Sequence, residues 1–204
     1  NTVVPSSGVL AGFNTDVTGI ASAIRRACSQ VDRTLPTKAV VLGARATASS
    51  ALAALGELGI VTSTVAARRF GGPGSVVAAS SRLGVSIEQV LWSDRDAVLR
   101  AVSAADLVIS TLPAGVADPL AEHMTVREGQ ILLDVVYSPR ETALRSAFER
   151  NGGIVAEGTD MLIYQAAAQV QLMTGRSPEP DVMRGALEAE LARRARASGG
   201  GAAS

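Results

Sequence analysis

The stretch "VVLGARATASSALAAL", residues 40–55, joins an apolar β-branched run to a glycine and then to a series of small residues. The apolar run predicts a buried strand, and the small residues after Gly43 predict the start of a helix. A strand, a tight glycine turn and a helix outline a dinucleotide site, because the helix N-terminus offers free N–H groups and a positive dipole end to a pyrophosphate. The usual motif is G-x-G-x-x-G. In this chain Arg45 stands at the second glycine and Ala46 at the next small position.

This loop by itself leaves the question of dinucleotide binding open. Its candidate phosphate-binding residues are Gly43, Ala44, Arg45, Ala46 and Thr47. The Arg45 side chain either blocks the close approach of backbone to phosphate or folds outward and supplies positive charge. A purely structural turn between a strand and a helix explains the same residues about equally well.

Apolar strands alternate with amphipathic helices along the rest of the chain. Two short extended pieces around a turn at residues 5–8 come first, followed by a helix from Asp16, its expected cap, to about Ser29. Strands are expected at residues 38–43, 61–67, 85–92, 106–111, 130–136 and 153–158. Helices are expected at residues 47–59, 72–84, 94–105 and 138–152 and twice after residue 158, with a short helical turn at 116–124.

This order predicts an α/β fold with a doubly wound, Rossmann-like parallel sheet and flanking helices. Ligands of that fold bind beyond the carboxyl ends of the strands. We therefore expect one crevice lined by residues 43–47, 67–69, 110–115 and 135–138.

Composition narrows the classes of partner. The formal net charge is zero, which does not favour nucleic acid, and no apolar run reaches the roughly 18 residues of a membrane span. The single cysteine, Cys28, excludes a disulfide within the chain and is expected to be buried. The only histidine, His123, is expected to be exposed, and no metal ligands are assigned. We expect a soluble, cytoplasmic protein without a nucleic-acid or membrane partner.

The end of the second expected sheet strand bears on cofactor choice. A site that prefers NAD usually carries Asp or Glu there, about 20 residues after the glycine loop, to hold the ribose 2′-hydroxyl. This chain has Arg68 and Arg69 instead. Guanidinium groups suit a 2′-phosphate, so NADP is the favoured dinucleotide. The alternative is a pair of solvated arginines.

Four stretches resemble motifs of the shikimate dehydrogenase family. "GFNTDVTG" (12–19) is similar to G-x-N-T-D-x-x-G, and "DVVYSPRETAL" (134–144) to D-x-x-Y-x-P-x-x-T-x-L. "EGTDMLIYQAAAQVQLMTG" (157–175) is similar to G-x-x-M-L-x-x-Q-A-A, and "DLVISTLPAG" (106–115) to the strand and loop that contact the cofactor. Each motif alone is only weakly specific for the family, but the order and spacing of the four together are specific. The motifs are spread across nearly the whole chain.

The resemblance implies a division of the chain. Residues 1–16 would be the end of an N-terminal substrate domain and the hinge, and residues 17–197 the NADP-binding domain with its C-terminal helices. The Gly/Ala/Ser composition of residues 198–204 predicts a disordered tail. The implied activity is the NADPH-dependent reduction of 3-dehydroshikimate to shikimate, in aromatic amino acid biosynthesis.

The same resemblance assigns roles to individual residues. Asp16 would be the catalytic acid that pairs with the family's lysine and binds a substrate hydroxyl. The implied substrate contacts are Asn1, Asp16, Tyr137 and Gln165. Arg68 would bind the 2′-phosphate. The implied contacts near the nicotinamide and in the cofactor loop are Leu112, Val135, Gly158 and Met161. Plain alternatives are a helix cap for Asp16, a half-buried aromatic for Tyr137 and an ordinary helix-face amide for Gln165.

The catalytic lysine of the family is expected upstream of Asn1. Lys38, the only lysine here, enters the first sheet strand at the end opposite the crevice. We therefore expect this chain alone to be inactive. Two other functions stay open: a dehydrogenase for quinate or another cyclic polyol acid, and a noncatalytic dinucleotide-binding relative. A homodimer is compatible with each of these functions.

Overall fold

The structure, a computed structural model, describes residues 1–6 and 8–199 and contains a two-stranded hairpin and a six-stranded sheet. The strands are β1 (Thr2–Ser6), β2 (Val9–Phe13), β3 (Ala39–Leu42), β4 (Thr62–Ala67), β5 (Ser86–Leu91), β6 (Leu107–Ser110), β7 (Ile131–Asp134) and β8 (Ile154–Ala156). The large sheet has the order β5-β4-β3-β6-β7-β8, and its neighbours are parallel throughout. The first strand of this sheet, β3, is central; β4 and β5 follow on one side of it and β6, β7 and β8 on the other. This is the doubly wound order. The predicted fold class is confirmed.

Helices cover both faces of this sheet. They are α1 (Thr15–Gln30), α2 (Ala46–Glu57), α3 (Val76–Leu83), α4 (Arg95–Ala104), α5 (Asp118–Ala121), α6 (Ala143–Arg150), α7 (Gly158–Thr174) and α8 (Pro180–Gly199). α1 and α2 supply most of the helix residues of one apolar cluster, and α4, α5 and α6 those of the other. In β3, Ala39 and Val41 belong to the first cluster and Val40 and Leu42 to the second. A strand buried on both faces must be apolar at every position, which explains the unbroken run in the sequence.

Two helices begin later than the sequence suggests. α3 begins at Val76, because Gly72 and Gly74 adopt φ values of +109° and +68° that an α-helix does not permit. α6 begins at Ala143 behind the cap Thr142, whose side-chain oxygen accepts a hydrogen bond from the backbone N–H of Arg145. The expected start at residue 138 fails because the residue before a proline disfavours the helical conformation.

The expected cap of α1 is wrong. The cap is Asn14, whose side-chain oxygen accepts from the Asp16 backbone N–H at 3.3 Å. Asparagine is as good a cap as aspartate. Asp16 instead lies in the first turn of α1, where a negative charge suits the helix dipole and the carboxylate is available for other contacts.

The C-terminal helix extends into the region expected to be disordered. α8 includes residues 198 and 199, and residues 200–204 of the expected tail lie outside the described residues. Over the described part of the chain, no helix is both long enough and apolar enough to cross a membrane.

α1 and α7 approach each other closely at Gly19. A Cβ atom at this position would lie 2.6 Å from the Met161 carbonyl oxygen and 3.1 Å from the Gln165 Cβ. Any side chain here would therefore push the two helices apart. Gly19 thus fixes the distance between α1 and α7.

α8 is tied to the same pair of helices through a buried carboxylate. Arg184 of α8 forms an ion pair and a hydrogen bond with Asp160 of α7, whose side chain is 7% exposed. Arg26 of α1 reaches the same carboxylate at 3.4 Å. One acid therefore connects three helices.

Replacing Gly19 with alanine is expected to lower the free energy of unfolding by about 2 kcal/mol, the scale of overpacking a close contact. The matched control is Gly185→Ala in α8, since no atom lies within 4 Å of its Cβ position. Alanine is the better helix former, so the control should gain about 0.5–1 kcal/mol. Urea unfolding measures both changes. Shifts of equal sign and size in the two variants would contradict the close contact.

Candidate functional site

The carboxyl ends of β3, β4 and β6 enclose a cleft of about 240 Å³. Gly43 leaves β3 with φ +115°, and a Cβ atom there would overlap the Thr111 hydroxyl. That hydroxyl donates to the Leu42 carbonyl oxygen at 2.9 Å, so its position is fixed. Gly43 is therefore required both by its backbone angle and by the close approach of the β6 loop.

The residues after Gly43 divide between the cleft and the helix. Ala44 and Arg45 line the cleft, whereas Ala46 and Thr47 form the first turn of α2 and do not line it. Arg45 occupies the N-cap position in an extended conformation, and its side chain makes no capping hydrogen bond. Arg45 is therefore an exposed residue of the cleft that directly precedes the first turn of α2, whose N–H groups have no partner within the helix.

Three arginines surround this cleft: Arg45, Arg68 and Arg69. Within residues 1–6 and 8–199, none of their guanidinium groups has an ion pair or a hydrogen bond with another residue. Unpaired guanidinium groups converging on a concave surface favour an anion with several oxygens. Leu112 and its neighbours also line the cleft, as expected. The expectation of a single crevice is wrong for residues 135–138, because Val136 and Tyr137 line a separate small cavity with Gly158.

The N-terminus of α7 meets the end of β7 without a gap. A Cβ atom on Gly158 would lie 2.7 Å from the Asp134 carbonyl oxygen and 3.5 Å from the carbonyl carbon of Val135. Met161 follows one turn later on α7 and is buried. The structure therefore brings the expected nicotinamide contacts Val135 and Gly158 together, and Met161 lies one turn further along α7, against Gly19 of α1.

An ion pair locks this junction. Arg145 of α6 donates two hydrogen bonds of 2.8 Å to Glu157, the residue that caps α7. These bonds hold the pKa of the Glu157 carboxyl below its usual range. Asp134 beside it accepts from the Thr142 hydroxyl at 2.9 Å, and burial raises the pKa of its carboxyl. Asp134 and Thr142 stand at fixed positions of the motif at residues 134–144. The pairing of Arg145 with Glu157 was not predicted, because no local motif relates α6 to the N-terminus of α7.

Asn1 and Asp16 form the other half of the candidate site. The Asn1 side-chain amide donates to Asp16 Oδ1 at 2.6 Å, and its oxygen accepts from the Thr15 backbone N–H at 3.0 Å. Gln169 of α7 donates to the Thr15 hydroxyl at 3.2 Å. The structure therefore unites two of the expected substrate contacts, and it adds Thr15 and Gln169 as supports that the sequence did not reveal.

α7 connects the remaining expected substrate contacts. Gln165 lies beside Gly19, and Asp16 precedes Gly19 by three residues in α1, which places it one turn earlier on the same side of that helix. Tyr137, 49% exposed, shares a small cavity with Gly158. Gln165 follows Gly158 by seven residues, which places it on the same side of α7 about 10 Å further along.

Other singled-out residues lie away from these groups. Lys38 is exposed at the amino end of β3, opposite the cleft, as expected. Cys28 is buried and His123 is exposed, which confirms both expectations. The described residues contain no cluster of His, Cys, Asp and Glu that could hold a metal ion.

Comparison with known proteins places this arrangement in a family. A family model described as the Shikimate 5'-dehydrogenase C-terminal domain matches residues 158–188. A protein of Methanothermobacter thermautotrophicus named Shikimate dehydrogenase (NADP(+)) is 30% identical over 200 residues, which cover 95% of this chain and 68% of the relative. The chain belongs to the shikimate dehydrogenase family. A protein of the same name from Halothermothrix orenii is 32% identical, over 88% of this chain and 63% of the relative.

Solved structures of shikimate dehydrogenases agree with this fold. The Mycobacterium tuberculosis enzyme superimposes with a TM-score of 0.75 at 33% identity, covering 89% of this chain and 66% of that one. The Thermus thermophilus enzyme, solved in complex with NADP(H) and shikimate, gives a TM-score of 0.65 at 29% identity, over 95% of this chain and 67% of that one. The chain thus spans about two thirds of the length of the shikimate dehydrogenases it matches.

Glu157→Gln is expected to lower the free energy of unfolding by about 2 kcal/mol at neutral pH, the scale of hydrogen bonds between charged groups. Because the folded pKa of Glu157 is lowered, its contribution is complete above the ordinary glutamate pKa of about 4.3. This contribution to stability is lost as the pH falls through the pKa that Glu157 has in the folded protein. The difference between the wild type and the variant should therefore be constant near neutrality and shrink below about pH 4. Urea unfolding across this range measures it.

The matched control is Glu149→Gln. Glu149 contacts the same Arg145 at the same 2.8 Å, but its side chain is 44% exposed against 27% for Glu157. Exposed pairs contribute less than about 1 kcal/mol. An equal loss in the free energy of unfolding in both variants would show that the Arg145–Glu157 pair contributes no more than the exposed Arg145–Glu149 pair.

Proposed function

We propose that this chain is the cofactor-binding part of an NADP-dependent shikimate dehydrogenase that converts 3-dehydroshikimate and NADPH to shikimate and NADP. The observation that carries the proposal is the position of α7. Its N-terminus carries the expected nicotinamide contacts Gly158 and Met161, and the expected substrate contact Gln165 lies on the same helix beside Gly19, three residues after Asp16 in α1. The proposal is supported by its relatives, which are shikimate dehydrogenases (NADP(+)), and by the Thermus enzyme, which was solved in complex with shikimate and NADP(H).

The arginines of the cleft support NADP over NAD. A 2′-phosphate at the end of β4 would receive charge-assisted hydrogen bonds from Arg68 and Arg69. The last residue of β4 is Ala67, and no carboxylate lines the cleft to hold a bare 2′-hydroxyl. Arg45 opposes binding in this proposal, because its bulk displaces the pyrophosphate from the N–H groups of α2, which form several bonds of fixed direction.

The polar groups near Asn1 would orient the substrate. The Asn1 amide donates a hydrogen bond to Asp16 Oδ1. Asp16 Oδ2 has no hydrogen-bond partner among the described residues, so Oδ2 can accept a hydrogen bond from a substrate hydroxyl. Gln165 and Tyr137 offer an amide and a phenol from α7 and the loop after β7. The cofactor, when bound, supplies the hydride. The forming alkoxide also needs an acid, and Lys38 lies too far away, so we place the family's lysine in the part of the relatives that this chain does not cover.

The cofactor proposal is tested by two substitutions of opposite expected sign. Arg68→Ala should weaken NADPH binding by about 1.5–3 kcal/mol, the scale of hydrogen bonds to charged groups, and should leave NADH binding nearly unchanged. Arg45→Gly should tighten NADPH binding, because the backbone then reaches the pyrophosphate. Calorimetric titration of this chain with both dinucleotides measures the two effects.

The control for both is Arg82→Ala, an exposed arginine of α3 outside the cleft. Equal wild-type affinity for NADPH and NADH would refute the assignment of the 2′-phosphate site. Weaker NADPH binding by Arg45→Gly would show that Arg45 is a phosphate ligand.

The activity itself is tested in an enzyme that joins this chain to a substrate domain. Asp16→Asn should lower the turnover of shikimate at least about a hundredfold, the scale of acid–base and positioning effects, while NADPH affinity stays unchanged. Asp96→Asn, an exposed acid in the first turn of α4, is the control. An unaltered turnover number in Asp16→Asn would reject the role of this carboxylate.

A further inference from the structure

The cleft at the ends of β3, β4 and β6 is lined by two chemically different groups of side chains. One group is cationic and consists of Arg45, Arg68 and Arg69. The other is aromatic or aliphatic and consists of Trp92, Leu112, Pro113 and Val116. A ligand that fills the whole cleft must therefore carry both anionic groups and a flat or apolar group.

Trp92 has a fixed backbone and a half-buried ring. It follows β5 directly, and its backbone N–H donates to the Ala67 carbonyl oxygen at 2.9 Å, one residue before Arg68. Its ring packs on the same apolar cluster as Val90, two residues earlier in the strand. One side of the indole is therefore supported by the core, and the side that lines the cleft is free to contact a ligand.

The neighbours of Trp92 indicate the chemistry of a ligand. Trp92 is the only tryptophan of the chain, and it lines the cleft together with Arg68 and Arg69. A large ring held half exposed at the rim of a cleft, with cationic groups next to it, matches a planar base linked to phosphates.

Building on the proposed function, we propose that Trp92 contacts the adenine base of NADP and that it sets the affinity of this chain for the adenosine half of the cofactor. Arg68 and Arg69 would then hold the 2′-phosphate of the same half. Base and phosphate would be bound by neighbouring residues at the ends of β4 and β5.

The probe is 2′,5′-ADP, which contains the base and the 2′-phosphate without the nicotinamide. Because no other tryptophan contributes, the indole fluorescence of the wild-type chain should change on titration and saturate with the dissociation constant measured by calorimetry. Trp92→Leu should weaken binding about tenfold by calorimetry, within the range for base–aromatic stacking. Trp92→Phe retains an aromatic face and should weaken it by less than about threefold.

The matched control is Leu91→Ala, the neighbouring residue of β5, which is 54% exposed and does not line the cleft. It should bind 2′,5′-ADP as the wild type does. Unchanged calorimetric affinity in Trp92→Leu, or saturation without any change in fluorescence, would overturn the role of Trp92 while the proposed function stands. Failure of the wild type to bind 2′,5′-ADP at all would overturn both the role of Trp92 and the proposed binding of NADP. If Trp92→Leu does not fold, Trp92→Phe and the wild-type fluorescence still decide the question.

Discussion

The contact between α1 and α7 at Gly19 is the constraint on which the site depends. α1 carries Asp16 and α7 carries Gln165, and neither helix fixes the separation of these groups by itself. The absence of a side chain at Gly19 brings the Met161 carbonyl to within van der Waals range of α1. α7 also begins in contact with the end of β7, and its residue Gln169 bonds to Thr15 beside Asn1. The same helix therefore fixes where these polar groups lie relative to the sheet.

The sequence predicts the fold well because its signals are local and repeated. The central strands β3, β6 and β7 consist almost wholly of apolar residues. The helices between the strands have a polar face, so the order of elements implies a parallel sheet covered on both sides. The errors concern helix ends. The cap moved from Asp16 to Asn14 because both residues are good caps, and α3 starts late because Gly72 and Gly74 take backbone angles that no helix allows.

The site is only partly predictable, for a physical reason. Gly43, Arg68 and Asp16 follow recognisable positions in strands and motifs. The ion pair between Arg145 and Glu157 joins the start of α6 to the N-terminus of α7. These two residues are 12 positions apart, on either side of β8, which pairs with β7. Trp92 likewise lines the cleft because β5 pairs with β4. The sequence around Trp92 does not by itself predict this position.

The hairpin of β1 and β2 gives the two halves of the site different supports in this chain by itself. A two-stranded ribbon is marginal in water, and here it exposes Val3, Val9 and Leu10 by 60%, 67% and 73%. Amide hydrogens in such a ribbon exchange through local openings that leave the core closed. In this chain by itself, such openings would free Asp16 from Asn1, whereas the arginine cleft is supported by buried strands. A substrate domain joined to the hairpin, as in the proposed enzyme, would then stabilise the geometry around Asp16 without altering the dinucleotide cleft.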